Sequence, residues 1–125
     1  MSKHVVLVED ETNIAEAIRF LLGRDGWRVE TLANGGNATE VIRGAMPDLV
    51  MLDVMLPGKT GFEILAELRG DEDLADLPVL MLTARGQTRD REMALQAGVS
   101  RFMTKPFSNE EMLTAVRELT AGRVN

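Results

Sequence analysis

Four short apolar runs punctuate the chain: Val5-Val6-Leu7-Val8, Leu49-Val50-Met51-Leu52, Val79-Leu80-Met81-Leu82 and a weaker Phe102-Met103. None alternates as a half-exposed strand does. Unbroken apolarity is the pattern of a parallel strand covered on both faces. A fifth stretch, Trp27 to Leu32, does alternate and reads as an edge strand. Between these runs the spacing becomes helical. Ile14, Ile18, Leu21 and Leu22 form one stripe, Ala38, Val41, Ile42 and Ala45 a second, and Ile64, Leu65 and Leu68 a third. Leu95 with Met93 or Ala94 marks a weaker fourth helix, and Met112, Leu113, Val116 and Leu119 a clear fifth.

Turn residues fall between the elements: Gly26 before the second strand, Pro47-Asp48 before the third, Pro78 at the start of the fourth, and Gly98 at the end of the fourth helix. The pattern is β-α repeated five times, which predicts an α/β fold with right-handed crossovers and a doubly wound parallel sheet covered by helices on both faces. Ligands of such sheets bind beyond the carboxyl ends of the strands, where strand order reverses.

Composition narrows the class. The 125 residues, 45% of them apolar and 27% charged, suit a single domain with one sheet-centred core, spanning 1–125. With 14 basic against 20 acidic residues the net charge is -6, which disfavours nonspecific attraction to nucleic acid or anionic lipid. The absence of cysteine removes disulfides, thiolate metal sites and cysteine nucleophiles. The apolar start, Val5 to Val8, is closed by acids, unlike a signal peptide, and no segment approaches membrane-spanning length, so the expectation is a soluble, cytoplasmic protein.

Chemistry-bearing residues collect where the strands end. Glu9-Asp10-Glu11 follows the first run, Asp53 the third, Thr83 the fourth and Lys105 the fifth. Each alone has an ordinary explanation as a cap, a strand end or a solvated charge. Together they are harder to dismiss, because carboxylates converging on one rim repel unless a cation lies among them. Oxygen donors without His or Cys favour Mg²⁺, which keeps open positions for a phosphate oxygen. Lys105 and Thr83 add a positive charge and a hydroxyl suited to a transferred phosphoryl group. With no separate serine or base in evidence, the nucleophile is the Asp53 carboxylate itself.

Four segments, VVLVEDE (5–11), PDLVMLDVMLPGKTGFEIL (47–65), PVLMLTA (78–84) and MTKPF (103–107), resemble the receiver domains of two-component response regulators, the CheY-like group. The resemblance covers essentially the whole chain and implies a flavodoxin-like sheet of order 2-1-3-4-5 with five helices. It implies that Glu9 and Asp10 hold Mg²⁺ with Asp53 and the Met55 carbonyl, and that Asp53 is the phospho-acceptor. Thr83 matches the switch hydroxyl, Lys105 the phosphoryl-pairing lysine, Phe102 the switch aromatic, and Pro57-Gly58 the loop after the acceptor. Pro106 matches a proline whose preceding bond is cis. The donor would be a sensor histidine kinase or histidine phosphotransfer protein, and the signal would pass to a downstream protein effector. The chain would catalyse its own Mg²⁺-dependent phosphotransfer and slow dephosphorylation, as a monomer or a phosphorylation-dependent homodimer, without direct contact with nucleic acid or membrane.

Two departures stand out. Gly98-Val99-Ser100-Arg101 lacks the acidic pair that many family members carry before the switch aromatic, which sets aside one salt-bridged dimer mode even though Arg117 matches a basic position on the last helix. The sequence also runs only a few residues past Leu119, through Ala121-Gly122-Arg123 to Asn125, so a stand-alone receiver without output domain is expected. The competing readings are a phosphorylation-independent pseudo-receiver and an aspartyl phosphatase. The intact acids, Thr83 and Lys105 oppose the first, and Met55, standing where a second aspartate is needed, opposes the second.

Ala84 leaves the acceptor accessible, while Met55 and Arg85 flank the approach of water and would lengthen the life of the phosphoryl group. His4 reads as an exposed strand-start residue and Gly35-Gly36 as a turn, since neither GxGxxG nor a Walker sequence is present. The eight methionines read mostly as core filler, with Met93 or Met112 as the exceptions at a partner surface.

Overall fold

The apolar runs become strands, and their lack of alternation has a direct structural cause. The computed structural model describes residues 3–84 and 88–121. Its elements are β1 (Lys3–Val8), α1 (Thr12–Arg24), β2 (Trp27–Leu32), α2 (Ala38–Ala45), β3 (Leu49–Asp53), α3 (Gly61–Arg69), β4 (Val79–Thr83), α4 (Thr88–Gln96), β5 (Arg101–Thr104) and α5 (Asn109–Thr120). The strands pair in parallel in the order β2-β1-β3-β4-β5. Successive side chains of a strand point to opposite faces. Val6, Val8, Val50, Leu52, Val79 and Met81 therefore pack with Ile42, Ile64, Leu65 and Leu68 of α2 and α3. Their neighbours Val5, Leu7, Leu49, Met51, Leu80 and Leu82 pack on the other face with Ile18, Leu22, Met112 and Val116 of α1 and α5. Both faces are dry, so the inner positions of the three central strands, Val5 to Val8, Leu49 to Leu52 and Val79 to Leu82, must be apolar. β2, paired on one edge only, keeps its exposed Arg28 and Glu30.

Three helix starts are set locally by different means. Thr60 and Ser108 each form a reciprocal capping box, with Glu63 and Glu111 respectively, fixing where α3 and α5 begin. α1 has no side-chain cap at Glu11; instead the Glu11 N–H donates to the Glu9 carboxylate. That choice ties the start of α1 to the rim above β1.

α4 differs from its expected stripe. Ala94 is fully buried, whereas Met93 and Leu95 are 44% and 61% exposed. A helix this polar offers the sheet only small residues on its inner face, Ala94 with Ala97 just beyond it, so its largest apolar side chains are not its core contacts. Met112 is buried and not at a partner surface. His4 is likewise not exposed: it lies within β1, its N–H donates to the Asp48 carboxylate, and its ring stands 3.6 Å from Glu30 on β2.

Ser100, which replaces an expected acid, accepts the Val79 N–H at 3.0 Å and so starts β4 beside β5. Arg69 at the end of α3 donates to the carbonyls of Gly98 and Leu77, both at 2.8 Å, and reaches Ser100 Oγ at 3.4 Å. Burial lowers its pKa, yet a guanidinium among carbonyl oxygens remains charged. One side chain thus knits α3, the α3–β4 connection and the end of α4 together, with no acidic pair required.

Candidate functional site

The chain passes from β1 to β2 on one side and later to β3 on the other, so strand order reverses between β1 and β3. The residues beyond these two strands face one crevice. Asp53 is the last residue of β3 and is 5% exposed. Directly after it, the Val54 N–H donates to the Leu82 carbonyl of β4 at 2.9 Å. Gly61 at the start of α3 packs so closely on the Asp53 carbonyl oxygen that a Cβ there would overlap it. Any other residue would push α3 away from the strand end that carries Asp53.

Glu9 follows β1, and its N–H donates to the Leu32 carbonyl of β2 at 2.9 Å. Its carboxylate is buried, while that of Asp10 is exposed at the crevice mouth. Carboxylate oxygens of Glu9, Asp10 and Asp53 lie within 4.8 Å of one another. Lys105 enters from β5. Its N–H donates to the Thr83 carbonyl at 2.7 Å, and the bond to Pro106 is cis. Its Nζ lies 2.7 Å from Glu9 Oε1, 3.1 Å from Asp53 Oδ2 and 3.4 Å from Glu11 Oε1. Thr83, the last residue of β4, is 1% exposed, with exposed Ala84 after it, and Met55, two residues after Asp53, is exposed.

Electrostatics follow from this burial. Desolvation pushes the Glu9 carboxyl up to about 7, against the hydrogen bond from Lys105 and the Glu11 N–H, and the nearby Asp53 charge pushes the same way as burial. Burial works against the charge of Lys105, but the hydrogen bond to Glu9 and the field of Asp53 more than offset it, and its pKa is raised. Three carboxylates facing one ammonium leave an excess of negative charge in a crevice where the side chains of Glu9, Asp53 and Lys105 are buried and that of Asp10 is exposed. Oxygen donors of this kind, with no imidazole or thiolate among them, fit a hard divalent cation.

Phe102 on β5 is 9% exposed and belongs to the core between the sheet and α3 and α4, with the Arg91 guanidinium of α4 5.2 Å above its ring centre. Arg117 does not reach outward from α5: it forms a paired contact with Asp25 in the α1–β2 turn, at 2.8 and 3.2 Å. Arg101 pairs with Glu118 at 2.8 Å. Both basic groups are engaged within the chain. Arg85 lies outside the described residues.

The structure brings Glu9, Asp10, Asp53, Thr83 and Lys105 to one rim, as the strand-end rule predicts, with Met55 two residues beyond Asp53. Sequence reasoning missed three contacts: Glu11 to Lys105, Gly61 under Asp53, and Arg91 over Phe102. The first was signalled by the acidic run itself. The second had only a glycine at the head of a helix, a position where a side chain is normally tolerated. The third joins two elements and leaves no local trace.

Solved structures are similar to this chain over nearly its whole length. The receiver domain of a signal transduction histidine kinase from Syntrophus aciditrophicus is 30% identical, with 99% of this chain and 96% of that one covered and a TM-score of 0.90. The receiver domain of the sensor histidine kinase PA1611 from Pseudomonas aeruginosa, solved with a magnesium ion coordinated in its active site cleft, is 29% identical over 98% of this chain and 100% of that one, at a TM-score of 0.89. The chemotaxis protein CheY4 of Vibrio cholerae is 28% identical over 95% and 99% of the two chains, at a TM-score of 0.88. The family model of the response regulator receiver domain matches residues 5–117, and with its sheet order and acidic rim this chain belongs to that family of CheY-like phospho-acceptor switches.

Proposed function

We propose that this chain accepts a phosphoryl group on Asp53 from a phosphohistidine of a sensor histidine kinase or a histidine phosphotransfer protein and relays the signal to a partner protein. The observation that carries the reading is the position of Lys105 Nζ, 3.1 Å from Asp53 Oδ2 and 2.7 Å from the buried Glu9. An Asp53 oxygen forms the new bond to phosphorus as the donor's N–P bond breaks, and the electron pair leaves with the imidazole. Lys105 then pairs with the phosphoryl oxygens, and the Thr83 hydroxyl turns toward them.

Glu9, Asp10 and Asp53, with the Met55 carbonyl, would hold Mg²⁺, and the magnesium in the Pseudomonas neighbour's cleft supports that use of the acids. When bound, the ion neutralises charge developing on the transferred group. Movement of Thr83 frees volume next to Phe102, and because Phe carries no hydroxyl, packing and the Arg91 contact must transmit the change to the α4–β5–α5 surface. Dephosphorylation would be slow, with exposed Met55 beside the path of attacking water.

The test is incubation of the wild type and Asp53→Asn with Mg²⁺ and a small acyl phosphate donor, read by intact mass. One phosphoryl adduct on the wild type and none on the variant is expected. An adduct that persists in Asp53→Asn overturns the assignment.

A further inference from the structure

Lys105 meets three carboxylates before any phosphoryl group arrives. Its Nζ lies 2.7 Å from Glu9, 3.1 Å from Asp53 and 3.4 Å from Glu11. An ammonium has three N–H donors and no acceptor, so each donor has an acid to serve. Pairing with a phosphoryl oxygen therefore requires that one of these contacts be given up.

The three differ in what their loss entails. The Glu9 side chain is 0% exposed, and its second oxygen is already engaged, accepting the Glu11 N–H at 3.1 Å. Withdrawing the ammonium would leave a buried charge without its counterion. Asp53 is equally buried and is the acceptor itself. Glu11 stands apart: its side chain is 57% exposed, its contact is the longest of the three, and water can replace the ammonium there. Its backbone is fixed at the start of α1, where the N–H donates to Glu9 and the carbonyl accepts the Ala15 N–H at 3.0 Å, so only the side chain need move. Glu11 and Lys105 both line a groove of about 570 Å³ with Ile14, Leu21 and Phe107, which leaves room beside the lysine for a released carboxylate.

We propose that Glu11 is a positioning residue for phosphoryl transfer: it holds one donor of Lys105 in the unphosphorylated protein and is the partner that a phosphoryl oxygen displaces. This rests on the reading of Asp53 as the acceptor. Glu11 competes with the phosphoryl group for the same ammonium, so it restrains phosphorylation. Removing its hold leaves Lys105 with a free donor at the crevice mouth. A merely structural role at the start of α1 has the opposite sign, because loosening that turn would disturb Glu9 and weaken the site.

Two measurements at saturating Mg²⁺ test this: the initial rate of labelling by a small acyl phosphate, read by intact mass, and the midpoint of a beryllofluoride titration, read by amide chemical shifts. Glu11→Gln is expected to label about threefold faster and to bind beryllofluoride about threefold more tightly, the scale of a half-exposed ion pair. Glu11→Asp separates the hold on Lys105 from simple repulsion of an anionic donor. It keeps the charge, but a shorter acid at this N-cap position turns to the free N–H groups of α1 and away from the lysine. It should therefore behave like Glu11→Gln. Unchanged or weaker labelling and beryllofluoride binding in Glu11→Gln overturns the proposal, as does a Glu11→Asp protein that matches the wild type while Glu11→Gln is faster. A wild type that takes no adduct, or an adduct that persists in Asp53→Asn, defeats the acceptor reading and this inference with it. Labelling confined to Asp53 and indifferent to both Glu11 variants defeats the inference alone.

Discussion

Raising the pH of the metal-free protein from about 5 to about 8 takes Glu9 through its titration, and the crevice sets the sign of the effect. The carboxyl ionises near 4.5 in the unfolded chain but only near 7 in the folded one, because burial disfavours the charge more than Lys105 and the Glu11 N–H favour it. Below the unfolded value Glu9 is protonated in both states, and its contribution to stability is fully present. Between the two values the unfolded state loses its proton first, and stability declines until the folded pKa is passed. A difference of that size corresponds to about 3 kcal/mol at 1.36 kcal/mol per pH unit, or roughly 10 °C in melting temperature for a domain of this length. Mg²⁺ reverses the effect, since a cation among the acids favours the ionised form. Its binding at about pH 6 should release close to one proton, falling toward zero at about pH 8.5. Thermal melts in chelator across this range, for the wild type and Glu9→Gln, read the first effect. Titrations in buffers of different ionisation enthalpy read the second. The wild type should lose stability as pH rises while Glu9→Gln stays comparatively flat. Parallel stability profiles for the two proteins, or Mg²⁺ binding without proton release at the lower pH, refute the reasoning.

Two further outcomes follow from the packing. Phe102→Ala is expected to accept phosphoryl at Asp53 at close to the wild-type rate but to lose the chemical-shift changes that beryllofluoride produces along the α4–β5–α5 surface; normal propagation in this variant removes Phe102 from the switch. Leu65→Ala, at a fully buried position under the sheet, should lower unfolding free energy by about 2–5 kcal/mol in urea denaturation, and a loss below about 1 kcal/mol would mean that this face of the core collapses around the cavity.

The strands and the site rim were legible for the same physical reason. A sheet dry on both faces allows no polar residue between Leu49 and Leu52 or between Val79 and Leu82, so the first polar residue after each run, Asp53 and Thr83, marks the rim. Helix stripes were legible where large side chains do the packing, as with Ile64, Leu65 and Leu68, and failed in α4, where Ala94 is the buried contact and the larger Leu95 is exposed. His4 was misplaced because what surrounds it, Asp48 and Glu30, comes from other strands and connections. Likewise, the strand-end rule assembled the acids and Lys105 but not their pairing. Nothing in the run Glu9-Asp10-Glu11 says that the first acid would be the buried one, 2.7 Å from the lysine.

The support of the site was hidden for a different reason. Side chains proposed as ligands leave their chemistry in the residue type, so Asp10 or Asp53 can be read directly. A backbone carbonyl, as proposed for Met55, leaves none, because any residue supplies it. The bonds that fasten the loop after Asp53 are also backbone bonds, from Gly35 to Pro57 and from Gly61 to Val54. Their only imprint on the sequence is steric: a glycine where a Cβ would collide with a neighbouring carbonyl, as at Gly35 and Gly61. In one dimension these glycines look like those of any turn or helix start. They become informative only once the atom they make room for is known, and at both positions that atom belongs to Asp53 or to the loop that follows it.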